Sequence, residues 1–395
     1  MQISPETQLF IREHQTDDVR ALALQARKYP NVDMPTAITQ IAGRQVAAEK
    51  IPSWRDTDDI WYPKHLSLEQ CSSEVTARYK ATLLKGNSLT DLTGGFGIDC
   101  AFLAAKFKSA IYVERQQELC EIAAHNFPIL NLNHINVRNE DGVAYLQTMS
   151  PVDCIFLDPA RRNEHGGKTV SIADCEPNVA ELEDLLLSKA SRIMIKLSPM
   201  LDLSLALKEL KHTQEVHILS VNNECKELLI LLGQTSPAEI TIHCVNLFTK
   251  GTQEEQHLVF TREQEQRSQC TYTDSLGDYL YEPNASLLKA GAFRSIAAAY
   301  PVRKLHPNSH LYTSDTFIEN FPGRIFRIVN QCSFNKKEVK ENLADLKKAN
   351  VTVRNFPATV AELRKRLHLT EGGDTYLFAS TLNNGQKVII RCEKV

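Results

Sequence analysis

The chain has 395 residues, 43% hydrophobic and 24% charged, with a net charge of −3. At roughly 100–200 residues per domain that length predicts about two to four domains, with enough core to fold without disulfide or metal staples. Sixteen Gly and sixteen Pro exclude collagen and long disordered linkers, and the near-neutral total argues for no particular partner.

Charge distribution says more. From Arg324 to Val395 there are 14 Lys and Arg against 7 Asp and Glu, while the rest of the chain holds 31 against 41. A basic tail on an acidic body points to a polyanion, against the plainer reading of a solvated lysine-rich face. The ten cysteines include no Cys-x-x-Cys pair. That spacing excludes a zinc ribbon and predicts free thiols and no metal. No secretory signal follows Met1-Gln-Ile-Ser-Pro5, and the apolar runs are short. A cytoplasmic protein with no membrane span is expected.

Residues 1–67 read as helical. Val19, Leu22, Ala23 and Ala26 make one apolar stripe, Pro30 and Pro35 punctuate, and helix resumes over 37–50. Trp54 and Trp61 are expected to pack against the next domain. From residue 68 a strand–helix alternation begins. It runs through helix 73–84, strand 88–91, helix 99–106, strand 110–114, helix 119–126 and strand 135–137. Strands 152–158 and 192–196 come next, with 216–221 and 228–232 as a closing hairpin. Such alternation with short apolar strands predicts an α/β fold, a Rossmann-like, doubly wound, mostly parallel sheet. The polar run 254–269 reads as a surface excursion, and a helix is expected over 287–299. The tail reads as a small α+β module of strand, helix, strand, helix and two strands. The domain boundaries so drawn are 1–67, 68–249, 250–324 and 325–395.

The turn after the first strand is Asp91-Leu-Thr93-Gly94-Gly95-Phe-Gly97. Glycines there let backbone approach a ligand. Glu114 closes the second strand, where an acid accepts from ribose hydroxyls, and Asp141-Gly142 follows the third, where an acid can accept from an adenine amino group. In open α/β sheets ligands bind at these strand ends. Cys100 stands where a dinucleotide fingerprint needs a third small residue, and there is no P-loop. The fourth strand ends Leu157-Asp158-Pro159-Ala160-Arg161-Arg162. An Asp oxygen and a backbone carbonyl can accept the protons of an amine and aim its lone pair. Asp158 and Pro159 are therefore the candidate catalytic pair. No second Pro and no aromatic follows to stack a flipped base. Arg161, Arg162 and Lys196 are candidates to grip a substrate phosphate or carboxylate. The arginines read otherwise as solvated loop charges. Loop 163–169, with His165, reads as a segment able to close over substrate.

The Asp91–Gly97 turn with its later acids resembles class I S-adenosylmethionine (SAM) methyltransferases. Together with Glu69–Lys80, the Leu157–Arg162 run, Arg354-Asn-Phe-Pro357 and Gly372–Phe378, it resembles the bacterial members that carry a THUMP-like C-terminal domain. The resemblance covers most of the chain beyond residue 68. It implies SAM as cofactor, held by Asp91, Thr93, Gly94, Gly95, Gly97, Glu114, Asp141 and Gly142. It also implies a helical N-terminal region, a ferredoxin-like insert, and RNA as partner. On the helix before the first strand, Ser72, Thr76 and Lys80 are placed by it near the methionine carboxylate. The function expected first is methylation of a nucleotide in rRNA or tRNA, with the basic tail binding RNA. The alternatives are a small-molecule or protein methyltransferase, or a SAM-binding RNA-binding protein without turnover.

Overall fold

A computed structural model describes residues 3–161, 171–250 and 255–395, with Arg161 described by its backbone alone. The chain forms two compact units, residues 1–214 with 228–237, and residues 215–227 with 238–395. Among the described residues no helix is long and apolar enough to cross a membrane.

The first unit opens with α1 (Pro5–Glu13), α2 (Val19–Leu24), α3 (Met34–Lys50), α4 (Pro52–Arg55) and α5 (His65–Gln70). Ser4, Asp18 and Asp33 cap the first three by accepting first-turn N–H groups. Phe10, Leu22, Met34, Ala37 and Ile41 form a small core of their own. The later part joins a larger core, where Ile51, Trp54 and Tyr62 pack with Phe96, Tyr112 and Phe127. Both tryptophans pack against the α/β region, as expected. Trp54 meets Phe96 edge-on at 5.1 Å, and Trp61 stacks on His125 at 3.7 Å.

The alternation expected after residue 68 is present. It comprises α6 (Glu74–Leu83), β1 (Ser88–Asp91), α7 (Ile98–Ala104), β2 (Ser109–Glu114), α8 (Gln117–Ile129), β3 (Ile135–Asn139), α9 (Gly142–Thr148) and β4 (Val152–Leu157). A short antiparallel pair, β5 (Ala160–Arg161) and β6 (Cys175–Glu176), precedes α10 (Val179–Lys189), β7 (Ala190–Leu197), α11 (Leu203–Glu209), β8 (Thr213–Val221) and β9 (Glu224–Gly233). In the first unit the strand order is β9-β7-β4-β1-β2-β3, all parallel except β9 against β7. The central strands are covered on both faces, so they read as unbroken apolar runs: Cys154–Leu157, Ile193–Ile195 and Leu228–Leu232 are all buried. Periodicity misses α9 and α11, which at 7 residues each are too short to show a stripe, and the strand–helix reading also lacks the 11-residue α10. The caps Asp141, Asn178 and Asp202 are the signal that finds the three.

In the second unit β10 (Thr241–Leu247) runs parallel to β8 and antiparallel to β11 (Gln256–Thr261). The polar run expected to be a surface excursion is thus corrected: it supplies a strand and α12 (Arg262–Arg267). In β11 only Phe260 is buried, so the segment lacks the apolar content of an inner strand. Then come β12 (Tyr279–Pro283), α13 (Ala285–Ala290), α14 (Phe293–Ala299), β13 (Arg303–Lys304), β14 (Tyr312–Ser314), β15 (Gly323–Ser333), α15 (Lys336–Leu343), β16 (Asn350–Val353), α16 (Val360–Leu367), β17 (Thr375–Thr381) and β18 (Lys387–Lys394). They form one seven-stranded sheet, ordered β13-β14-β12-β15-β18-β17-β16. The boundary drawn at 324/325 falls inside β15, and strands on both sides of it share this sheet. Side chains alternate between its faces. Phe378, Val388 and Ile390 enter one core, while Leu377 and Ile389 enter another with Leu343 and Leu367 of α15 and α16.

Glu265 of α12 caps α14. Its carboxylate accepts N–H groups of Phe293, Arg294 and Ser295 at 3.0, 2.8 and 2.8 Å, and the Ser295 hydroxyl at 2.7 Å. Losing this cap strands first-turn donors. Glu265→Ala is expected to destabilise the chain by about 1–2 kcal/mol, read as a lower urea midpoint with unchanged slope.

Candidate active site

The sheet of the first unit changes winding direction at β1, which has β2 on one side and β4 on the other. Asp91 and Glu114 end their strands, Asp158 follows β4, and Lys196 lies one residue from the end of β7. All four therefore stand at the carboxyl edge, at the switch point where such sheets bind ligands. The glycine turn is built by close packing. The Gly94 N–H donates to the Val113 carbonyl at 2.8 Å, and a Cβ on Gly94 would lie 2.2 Å from the Tyr112 ring. Gly95 and Gly97 take φ of 55° and 89°, left-handed values that L side chains resist. Glu114 clasps this turn: Oε2 accepts the Gly95 N–H at 2.9 Å and Oε1 the Gln116 N–H at 2.8 Å.

Beneath the turn lies a buried ionic network. The ammonium of Lys80, 0% exposed, pairs with Asp99 at 2.9 Å and donates to the Ser72 hydroxyl at 2.8 Å. Ser72 in turn donates to Asp99 at 2.7 Å. Lys196 reaches the same Asp99 at 3.4 Å and also pairs with Asp158. Burial alone would raise the Asp99 pKa, but the two lysines and the Ser72 hydroxyl overcome it and hold the carboxyl at about 2. Asp91 is the opposite case. It is 1% exposed, and burial pushes its pKa well above the usual carboxylate range. The negative charges of Asp99, Asp158 and Glu114 push the same way, against the N–H that Thr93 donates to Oδ1 at 3.0 Å. Its buried Oδ2 has no hydrogen-bond partner among the described residues.

Asp91, Thr93, Gly94, Gly95, Gly97, Glu114 and Asp158 thus share one corner. The Thr93 hydroxyl accepts the Asp158 N–H at 2.6 Å, joining the glycine turn to the strand end that carries Asp158 and buried Pro159. Asp141 is exposed and caps α9, its Oδ1 accepting from Val143 and Ala144, both at 3.0 Å. Gly142 presses on the Leu92 carbonyl, 2.2 Å from where a Cβ would sit. Thr76 is buried, and its hydroxyl donates to the Ser73 carbonyl at 3.1 Å. Sequence reasoning missed the pairing of Lys80 and Lys196 with Asp99, because three residues so far apart carry no spacing signal. Arg162, His165, the rest of loop 163–169 and the Arg161 side chain lie outside the described residues.

The sheet order, the glycine turn after β1 and the acids at successive strand ends define a class I methyltransferase. Three family descriptions match the chain: protein-L-isoaspartate(D-aspartate) O-methyltransferase over residues 50–163, ferredoxin-like domain over 279–322, and THUMP domain-like over 323–394. A crystal structure from Porphyromonas gingivalis W83, described as a "putative methyltransferase", is 35% identical, with a TM-score of 0.87 over 98% of this chain and 97% of that one. The chain belongs to the family of that protein, the SAM-dependent methyltransferases with a THUMP-like C-terminal domain. Two further structures are more distant. One is the modification subunit of a "putative type I restriction enzyme" from Vibrio vulnificus YJ016, at 10% identity and TM-score 0.37 over 61% of this chain and 62% of that one. The other is an rRNA methylase from Streptococcus thermophilus, at 15% and 0.29 over 40% and 93%. Neither likeness carries an argument. None of the curated proteins compared with the chain matches it.

Removing one partner of a buried ion pair leaves an uncompensated charge. Lys80→Ala should therefore cost about 3 kcal/mol or more in chemical denaturation. A carboxyl at about 2 when folded and about 3.9 when unfolded stabilises the fold above roughly pH 4, and that contribution fades as pH falls toward 2. The acid limb of the stability profile should flatten over that window in Asp99→Asn.

Proposed function

We propose that the chain transfers the methyl group of SAM to a nucleotide of RNA, either rRNA or tRNA. The observation that carries the cofactor reading is Asp91, a buried carboxylate at the switch point with an oxygen that has no partner among the described residues. A cation is what such a group lacks, and SAM presents both an ammonium and a sulfonium, so the residues present fit it. In this reading Asp91 takes the ammonium, with the Thr93–Gly97 turn against the methionine end. Both Glu114 oxygens hold backbone N–H groups and keep further lone pairs for ribose hydroxyls. Asp141 and Gly142 border the adenine. Thr76, its hydroxyl turned to Ser73, supports the helix behind them.

SAM supplies a methyl group on a sulfonium, open to in-line attack. The protein's part is to aim the acceptor. Lys196 holds one oxygen of Asp158, which leaves the other, with the Pro159 carbonyl, to accept the protons of an exocyclic amine. Arg161 and Arg162 would grip the neighbouring phosphate.

RNA as substrate is supported by the C-terminal module. Lys336, Lys337, Lys340, Lys347, Lys348, Lys365 and Arg366 are all exposed. They lie on or beside α15 and α16, which cover the same face of the sheet. Exposed Glu341, Asp345, Glu362, Glu371 and Asp374 are interleaved with them, so this face carries a modest positive excess, and a positive excess favours a phosphate backbone. In the domain division we favour, 68–249 carries the chemistry and 325–395 the RNA contacts, with 1–67 and 250–324 as supports. A protein carboxylate as acceptor is the second reading, favoured by the isoaspartate O-methyltransferase match over 50–163.

Radiolabelled SAM, offered to RNA and protein extracts from cells lacking the gene, tests the two. RNase-sensitive label is expected. Base-labile label in protein alone would replace the first reading with the second. Asp158→Ala should lower transfer by about 100-fold or more and leave SAM affinity within about twofold. Asp91→Asn should instead weaken SAM binding about tenfold or more, the loss of one charge-assisted hydrogen bond, measured by calorimetry.

A further inference from the structure

The strands β8, β10 and β11 bring together side chains that no part of the methyl-transfer reading uses. His217 of β8 and His243 of β10 are direct partners in the parallel ladder. Glu215 lies two residues before His217, hence on the same face. His257 of β11 stands opposite Val245, two residues beyond His243, and so faces the same way. The contacts arise from that register. The His217 and His243 rings stack at 4.2 Å and 8°. His217 Nε2 lies 3.3 Å from Glu215 Oε2, and His243 Nδ1 lies 3.2 Å from His257 Nε2. One ligand atom each from Glu215, His217 and His243 falls within 4.8 Å of the others.

We propose that Glu215, His217 and His243 form a site for a divalent transition-metal ion of the zinc class, clasping β8 to β10. Two imidazoles and one carboxylate are a borderline-soft donor set that suits Zn²⁺ over Mg²⁺ or Ca²⁺. Tetrahedral bonds of about 2.0–2.1 Å place ligand atoms roughly 3.3 Å apart. A pair at the 4.8 Å limit must therefore close by about 1.5 Å, and a tilt of His243 out of its stack is the movement that would bring it in. His257, hydrogen-bonded to His243, is a positioning residue: it orients the ring and selects the nitrogen that carries the proton. The absence of any Cys-x-x-Cys pair does not bear on such a site, because these ligands come from separate strands.

The test uses the full chain, stripped with a chelator and titrated with ZnCl₂ by calorimetry and with CoCl₂ by visible absorption. One Zn²⁺ per chain is expected, with ligand-field bands from Co²⁺ and a thermal midpoint raised by excess Zn²⁺. Glu215→Gln and His243→Asn should each weaken Zn²⁺ binding about tenfold or more. Circular dichroism checks that each variant folds, and the partly exposed Glu215 decides if His243→Asn does not. No uptake by the wild-type chain, or uptake that a folded variant leaves unchanged, overturns the proposal and makes the cluster a stack of packed histidines. The readouts are independent of methyl transfer, so failure here and failure of the RNA reading are distinct.

Discussion

Two lysines buried against one aspartate organise the ligand edge of the first unit. Lys80 comes from the helix before β1, Asp99 from the helix after it, and Lys196 from the end of β7. Ser72 bonds to all three, and Lys196 extends the network to Asp158. Taking these charges out of water is costly, and an apolar cluster of equal volume would serve stability as well or better. What ions add is direction. Each charge has defined partners, so the helices flanking β1 and the ends of β4 and β7 are held in one register.

That register bears on the charge of Asp91. Lys80 and Lys196 are committed to Asp99, with Lys196 also engaging Asp158, and Asp91 is left with the repulsion of its acidic neighbours. Compensation is concentrated on one carboxylate and withheld from another a few residues away. The resulting site has an unmet demand for positive charge while its frame stays electrostatically satisfied. Perturbed acids of this kind cluster where ligands bind.

The second unit is organised differently. Its seven-stranded sheet is held by alternation, with successive side chains entering cores on opposite faces. Its ions tie separate segments together. Buried Glu282 accepts both Arg324 and Arg354, linking β12, β15 and the segment after β16. Arg391 and Arg364 pair with Asp345 and Glu371. Lys336, Lys337, Lys340, Lys347, Lys348 and Lys365 lie exposed on and beside two helices of one face, interleaved with exposed Glu341, Asp345 and Glu362. Each ion pair takes one acid with one base, so local pairing leaves the basic excess of the composition as it is and decides which side chains carry it.

By itself the sequence determined the elements whose causes are local. β4 is a short apolar run, the glycine turn needs residues tolerant of positive φ, and the tail's strands and helices alternate in an apolar rhythm. The strand-end acids Asp91, Glu114 and Asp158 were legible because a parallel sheet always delivers strand ends to one edge. Tertiary structure decided what depends on residues far apart in sequence. It turned Lys80 inward to Asp99, made Lys196 a partner of both Asp99 and Asp158, and left Asp91 Oδ2 unpaired among the described residues. It also recruited the polar segment 256–261 as a strand and set three histidines on one face. Periodicity reports which side of an element is apolar. Which buried charge meets which is settled only when elements pack, because pairing energy falls off within a few ångströms and carries no sequence spacing.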